Sequence, residues 1–194
     1  MYFFHINKTI LHEPKEQDIL NFETLDRFNS LNSTYSCSSR IYISAMARKQ
    51  LFKEINWGAK IATNAYEEGG LLIGKPYLNS SERFYYSIVT SIIPAVVKED
   101  SINEKKYGFD SWQVMLSKLD IYNKNKTVAN KEYVVGWYHT HKGIRSVYMS
   151  EKDMDMQKMF PLPWQFGIVL NPKKQIWKAF NGKKAHECQG FVLK

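Results

Sequence analysis

The stretch that most constrains this chain begins at Tyr133 and ends at Asp153. It opens with an apolar run rich in β-branched and aromatic residues, Tyr133-Val134-Val135-Gly136-Trp137-Tyr138, which reads as a strand. The run passes directly into His139-Thr140-His141. Side chains on a strand alternate faces with a period of two, so His139 and His141 point one way and Thr140 the other. Further on, Ser150-x-x-Asp153 has the form of a helix start, with a hydroxyl at the N-cap and a carboxylate in the first turn. Two imidazoles on one face at a strand end can chelate a zinc ion at about 2.0–2.1 Å. Asp153 can add a third ligand from the next helix and leave a fourth position for water.

The rest of the chain alternates between strand and helix patterns. Ile41-Tyr42-Ile43 predicts a strand. Phe52, Ile55, Ala59, Ala62 and Tyr66 recur at spacings of three and four and predict an amphipathic helix that ends near Glu67, stopped by Gly69-Gly70. Leu71-Leu72-Ile73 and residues 84–93 predict two more strands, and the charged residues 98–106 a loop. Asp110 is placed to cap a second helix whose apolar face is Trp112, Met115, Leu116 and Leu119. Residues 166–170 and 175–180 predict strands joined by the turn Asn171-Pro172-Lys173-Lys174, and Asn181-Gly182 marks another tight turn. Several of these strands are hairpin-linked, so an α/β fold with a mixed sheet flanked by helices fits best.

The first 39 residues differ from the remainder of the chain. A short apolar stretch, Tyr2 to Ile6, precedes a Ser- and Asn-rich run over 29–39. They read as an extension, 1–39, that docks a partner or adds a strand to a domain spanning 40–194. The N-terminus has no signal-peptide pattern and no apolar run approaches a membrane span. With two cysteines, Cys37 and Cys188, no disulfide framework is expected, and the default setting is cytoplasmic and reducing. The net charge of +8 permits acidic partners. Its basic residues are scattered, however, which argues against nucleic acid and for a solvated face.

Hydrolysis at a zinc site needs more than the metal. Zinc lowers the pKa of a water it binds from about 15.7 towards roughly 7, but a base must still take the proton and pass it to the leaving group. Glu67 is the candidate base, with Glu68 beside it. Ser150, one helical turn before Asp153, is placed to donate to an oxyanion. Each piece also has an ordinary structural reading. The histidines fit a half-buried strand, Ser150 fits a plain N-cap with Asp153 favouring the helix dipole, and Glu67 fits a surface carboxylate. Met154, Met156 and Met159 fit packing, and His5, His12 and His186 have no partner at ligand spacing.

The order Glu67, Gly70-Leu71-Leu72-Ile73-Gly74, His139-Thr140-His141, Ser150-x-x-Asp153 resembles the JAMM motif of MPN-plus zinc metalloproteases. Phe109-Asp110-Ser111-Trp112, Val134-Val135-Gly136-Trp137-Tyr138 and Leu162-Pro163-Trp164-Gln165 resemble that family's bacterial branch, so the likeness runs from Arg40 to Phe180. It implies the MPN (cytidine deaminase-like) fold, with a curved mixed sheet between helices. It implies Zn2+ on His139, His141 and Asp153, Glu67 as general acid/base and Ser150 on the oxyanion side. The implied activity is isopeptide or peptide hydrolysis after the C-terminus of a ubiquitin-like protein. Ubiquitin-like conjugation enzymes are the implied partners, including those of bacterial antiphage pathways. A non-catalytic MPN scaffold, a RadC-like protein linked to DNA metabolism and an enzyme that trims another small carrier protein are the rivals. The chain departs from the motif in two places: Lys142 stands where the family has Pro, and eight residues instead of seven separate His141 from Ser150. Lys142 and Arg145 in that longer loop are candidates to meet acidic groups on a substrate.

Overall fold

The computed structural model describes residues 13, 22–24, 37–59, 67–95, 109–142 and 147–194. Most of the extension, the charged segment 98–106, the residues 60–66 expected to be helical, and Arg145 lie outside that set, as do His5 and His12. Eight strands and three α-helices are described: β1 Phe22–Thr24, β2 Arg40–Ile43, α1 Ala45–Glu54, β3 Gly69–Asn79, β4 Phe84–Pro94, α2 Phe109–Asn123, β5 Tyr133–Thr140, α3 Glu151–Lys158, β6 Phe166–Asn171, β7 Ile176–Asn181 and β8 His186–Leu193.

The sheet is mixed, as expected, with order β1-β8-β2-β4-β3-β5-β6-β7. Parallel pairings join β2 to β4, β2 to β8 and β5 to β6. The curvature goes further than the sequence reading. The N-terminal half of β8 pairs antiparallel with β7, and its C-terminal half pairs with β2. That double use of β8 closes strands β2 to β8 into a barrel, and β1 lies against β8 outside the ring. Closure removes sheet edges, which explains why a sheet this curved is not left open.

Every strand of the ring sends side chains to one cluster, which is therefore the barrel interior: Ile41, Leu72, Val89, Val135, Ile168, Ala179 and Cys188 belong to it, and Ala47 and Leu51 of α1 pack into it. A second cluster covers the outer face of β3, β4 and β5, where Leu71, Ile73 and Trp137 meet Met115 and Leu119 of α2 and Phe160 just beyond α3. The apolar face expected for α2 is the one buried, with Trp112 and Leu116 partly buried against it.

Three local expectations need correction. Helix α1 starts at Ala45, capped by the Ser44 side chain, and stops at Glu54 instead of continuing to Glu67. Asn56 at φ +50° and Gly58 at φ +79° take the left-handed conformation that ends helices. Trp57 then folds back from the turn beyond the helix to stack on Phe52 at 4.3 Å between centroids. Gly69 and Gly70 therefore do not end α1; they open β3. A Cβ on Gly70 would sit 2.4 Å from the Ile93 carbonyl oxygen, so close strand packing requires that glycine. Finally, α2 already includes Asp110, so that residue lies in the first turn and is not the cap.

Candidate metal centre

Strand β5 is held on both sides to its last residue. Its register with β3 sets Gly69 opposite His139, and the ladder continues as Thr140 N–H donates to the Glu68 carbonyl at 2.8 Å. On the other side, His141 N–H donates to the Leu170 carbonyl of β6 at 2.7 Å. Between Leu72 and Ile73 the register shifts, leaving Val135 as an extra residue. A bulge of this kind re-aims the side chains that follow it. Beyond it Tyr138 faces the interior, while Trp137 and the two histidines face outward toward α3.

The same period-two logic selects between the two candidate bases. Glu67 is two residues before Gly69, the partner of His139, so it shares the histidines' face. Its Oε2 lies 3.3 Å from His139 Nε2. Glu68 has the opposite parity, and its backbone N–H donates to Thr140 Oγ1 at 2.7 Å. Thr140 thus locks the backbone beside Glu67 from the barrel side.

Helix α3 supplies the rest. Ser150 is its N-cap, and it forms a reciprocal capping box with Asp153. The Ser150 hydroxyl and backbone N–H donate to Asp153 Oδ2 at 2.7 and 2.9 Å. His141 Nε2 lies 3.1 Å from the same oxygen, and His139 Nε2 lies 3.8 Å from Oδ1. Burial works to raise the Asp153 carboxyl. Hydrogen bonds with His141 and Ser150 and the pull of His139 outweigh it and hold the group below its ordinary value, favouring the carboxylate.

Ligand atoms of His139, His141 and Asp153 all lie within 4.8 Å of one another. A tetrahedral zinc ion with bonds near 2.0–2.1 Å needs donors roughly 3.3–3.4 Å apart, so small side-chain adjustments complete the set. Two imidazoles and a carboxylate are the donor types of a catalytic zinc site with one open position. The structure therefore brings together His139, His141, Asp153, Ser150 and Glu67, and it leaves His186 exposed on β8.

Two neighbours were not anticipated from sequence. Tyr148 sets its ring edge-on to His141 at 5.5 Å, and half of it is exposed. Gln157, fully buried, accepts a hydrogen bond from Trp137 Nε1 at 2.8 Å. A signal for Gln157 was present, since it is four residues after Asp153 and so on the same helix face.

The family model described as JAB1/Mov34/MPN/PAD-1 ubiquitin protease matches residues 39–162, more than half of the chain and all five site residues. No curated protein matches the chain.

Proposed function

Because the chain belongs to the JAB1/Mov34/MPN/PAD-1 family, we propose that it is a zinc-dependent isopeptidase or peptidase that cuts after the C-terminus of a ubiquitin-like protein, either to release conjugates or to process a precursor. The observation that carries this reading is the convergence of His139, His141 and Asp153, with Glu67 3.3 Å from His139 on the open side. A purely structural cluster has no need of a second carboxylate there.

When bound, zinc supplies Lewis acidity, which acidifies water and polarises a carbonyl oxygen. The protein's own groups do the rest. Glu67, about one-third exposed, takes a proton from the attacking water and returns it to the leaving amine. Asp153 stays ionised and orients His141. Ser150 is assigned to the oxyanion side. Its proton points to Asp153 in this structure, so donation to substrate requires the hydroxyl to turn about its Cβ–Oγ bond. An extended tail fits the proposal because the histidines sit at a strand end. Terminal glycines suit a channel without room for side chains. A bacterial ubiquitin-like conjugation setting, antiphage defence included, is part of the proposal; neighbouring genes for a ubiquitin-like protein and its activating enzyme bear on it directly.

The test is a panel of fusions with different C-terminal tails, incubated with zinc-loaded protein, with a chelator control and His139→Ala. The expected result is zinc bound at about one equivalent and cleavage after terminal glycines, both lost in the variant. Equal cleavage of tails with and without glycines sinks tail recognition. Bound zinc with no cleavage of any fusion or conjugate moves the assignment to a non-catalytic scaffold.

A further inference from the structure

Trp137 and Gln157 meet in a fully buried hydrogen bond directly behind the cluster of possible metal ligands. Trp137 is two residues before His139 on the same face of β5, and Gln157 is one helical turn after Asp153 on the same face of α3. The spacings nearly match. Two strand residues advance about 6.6–6.8 Å and four helical residues about 6 Å. With α3 running antiparallel to β5, one contact places Asp153 at the histidines and the other places Gln157 at the tryptophan.

We propose that Trp137 and Gln157 form a positioning clamp that sets how far α3 stands from β5, and so holds Asp153 at ligand distance from His139 and His141. The inference rests on the zinc-site reading. Three observations support it. The Gln157 side chain is wholly buried, so its amide oxygen and the indole N–H meet no water if α3 slides or tilts. The amide orientation is fixed from its other end, where Nε2 faces the Phe160 carbonyl at 3.5 Å. The neighbouring strand also leaves room for the pair. A Cβ on Gly167 of β6 would fall 2.6 Å from Gln157 Oε1 and 2.9 Å from Trp137 Cε2. Phe160 closes the end of the slot, its ring 6.4 Å from that of Trp137. Neither clamp residue belongs to the ligand set; both act through Asp153.

The experiment measures metal affinity, not turnover. Gln157→Met removes the amide at similar length, and Trp137→Phe removes the N–H. Zinc affinity is measured by competition with a fluorescent chelator, and Co2+ loading is followed by its visible absorption bands, at a temperature where circular dichroism shows the variant folded. Partners outside the ligand shell typically contribute 10–100-fold in metal affinity. Each variant is expected to weaken zinc binding by about 10-fold and to alter the Co2+ bands. The double variant is expected to bind no worse than the weaker single, because both changes break one bond. Gly167→Ala, which crowds the pair without removing either partner, is expected to act in the same direction and carries the decision if a clamp variant does not fold. Zinc affinity within about twofold of wild type in the folded variants, with only the melting temperature lowered, reduces the pair to ordinary packing and overturns the proposal. Strictly additive effects in the double variant overturn it too. If wild-type protein binds zinc but cleaves nothing, the isopeptidase reading fails while the clamp is still decided on affinity; if it binds no zinc, both fall.

Discussion

Strand β5 has a carboxylate cluster at each end, and the two are built on opposite principles. At its start, Glu132 accepts from Thr90 Oγ1 at 2.7 Å and from Lys126 Nζ at 3.1 Å. The Asn123 side chain brackets its backbone, accepting from Glu132 N–H and donating to its carbonyl. The counter-charge is part of the cluster. At the far end, Glu67 and Asp153 face imidazole nitrogens, and an imidazole nitrogen turned to a carboxylate needs a proton or a cation between them. One end is complete as protein and ties α2 to the sheet; the other, in the proposed reading, is completed by a bound cation. Burial does not separate them, since Glu132 and Asp153 are both buried. What separates them is what faces the carboxylate: a lysine at one end, two imidazoles at the other.

The largest effect that separates the two ends is on turnover. Glu67→Gln is expected to lower kcat by about 10²–10⁴-fold, because it removes the proton acceptor at nearly constant volume. Zinc content should persist, and stability should stay within about 0.5 kcal/mol, as for a partly exposed residue. A variant within threefold of wild type on a cleaved fusion would reassign the base.

Ser150→Ala comes next and divides the cap that this hydroxyl forms from the oxyanion role proposed for it. As an oxyanion donor the loss is worth about 10²–10³-fold in kcat. As the N-cap of α3 it is worth about 0.5–2 kcal/mol of stability. Kinetics and urea unfolding on the same preparation separate them; normal turnover with lowered stability leaves only the cap.

Glu132→Gln probes the other end and should leave zinc affinity and turnover alone. Burial pushes the Glu132 carboxyl up, but bonds with Tyr122, Thr90 and Lys126 and the charge of Lys126 prevail, so folding depresses it. A depressed carboxylate stabilises the fold at pH above its unfolded value, near 4.3, and loses that contribution as pH falls through the folded value. The substitution is expected to cost about 1–3 kcal/mol at neutral pH. Unfolding curves of the two proteins should then converge as the pH drops below about 4. A gap that stays constant down to pH 3 would show that the loss is packing and not charge.

The contrast also explains what could be read before the fold. Alternation along β5, the capped start of α3 and the apolar face of α2 are local, and local rules suffice for them. Gly69-Gly70 misled because a glycine pair marks both a helix stop and a close strand crossing, and only the Ile93 carbonyl decides. The periodicity after Phe52 misled because its next member, Ile55, is the C-cap of α1 and packs into the core from there without the helix going on. Barrel closure was hidden because it depends on β8 dividing its length between β7 and β2, a pairing with no trace in its own eight residues. Gln157 was overlooked despite its spacing from Asp153, because a polar residue at the core face of a helix looks like an error in the pattern until its partner, Trp137, is placed.

The smallest expected effect lies at the rim of the site. Lys142 follows His141 directly and is half-buried, in the position where the resembled family has proline. Proline would fix the backbone and remove a hydrogen-bond donor, whereas lysine adds a positive charge beside His141. Exposed charge pairs contribute about 0.2–1 kcal/mol, so a partner's acidic group met by Lys142 changes affinity only severalfold. Lys142→Glu reverses the charge and is expected to raise KM by roughly 2–10-fold while leaving kcat close to wild type, the pattern of lost binding that ground state and transition state share. The KM difference should shrink as salt rises, because the Debye length falls from about 10 Å at 0.1 M to about 3 Å at 1 M. Lys142→Pro sharpens the same point from the backbone side: if loop shape and not charge governs the substrate, it alters KM in a way that salt does not touch. A Lys142→Glu variant with unchanged KM at low salt would mean that the residue faces no acidic group on the substrate, and its place beside His141 would then be a matter of loop geometry alone.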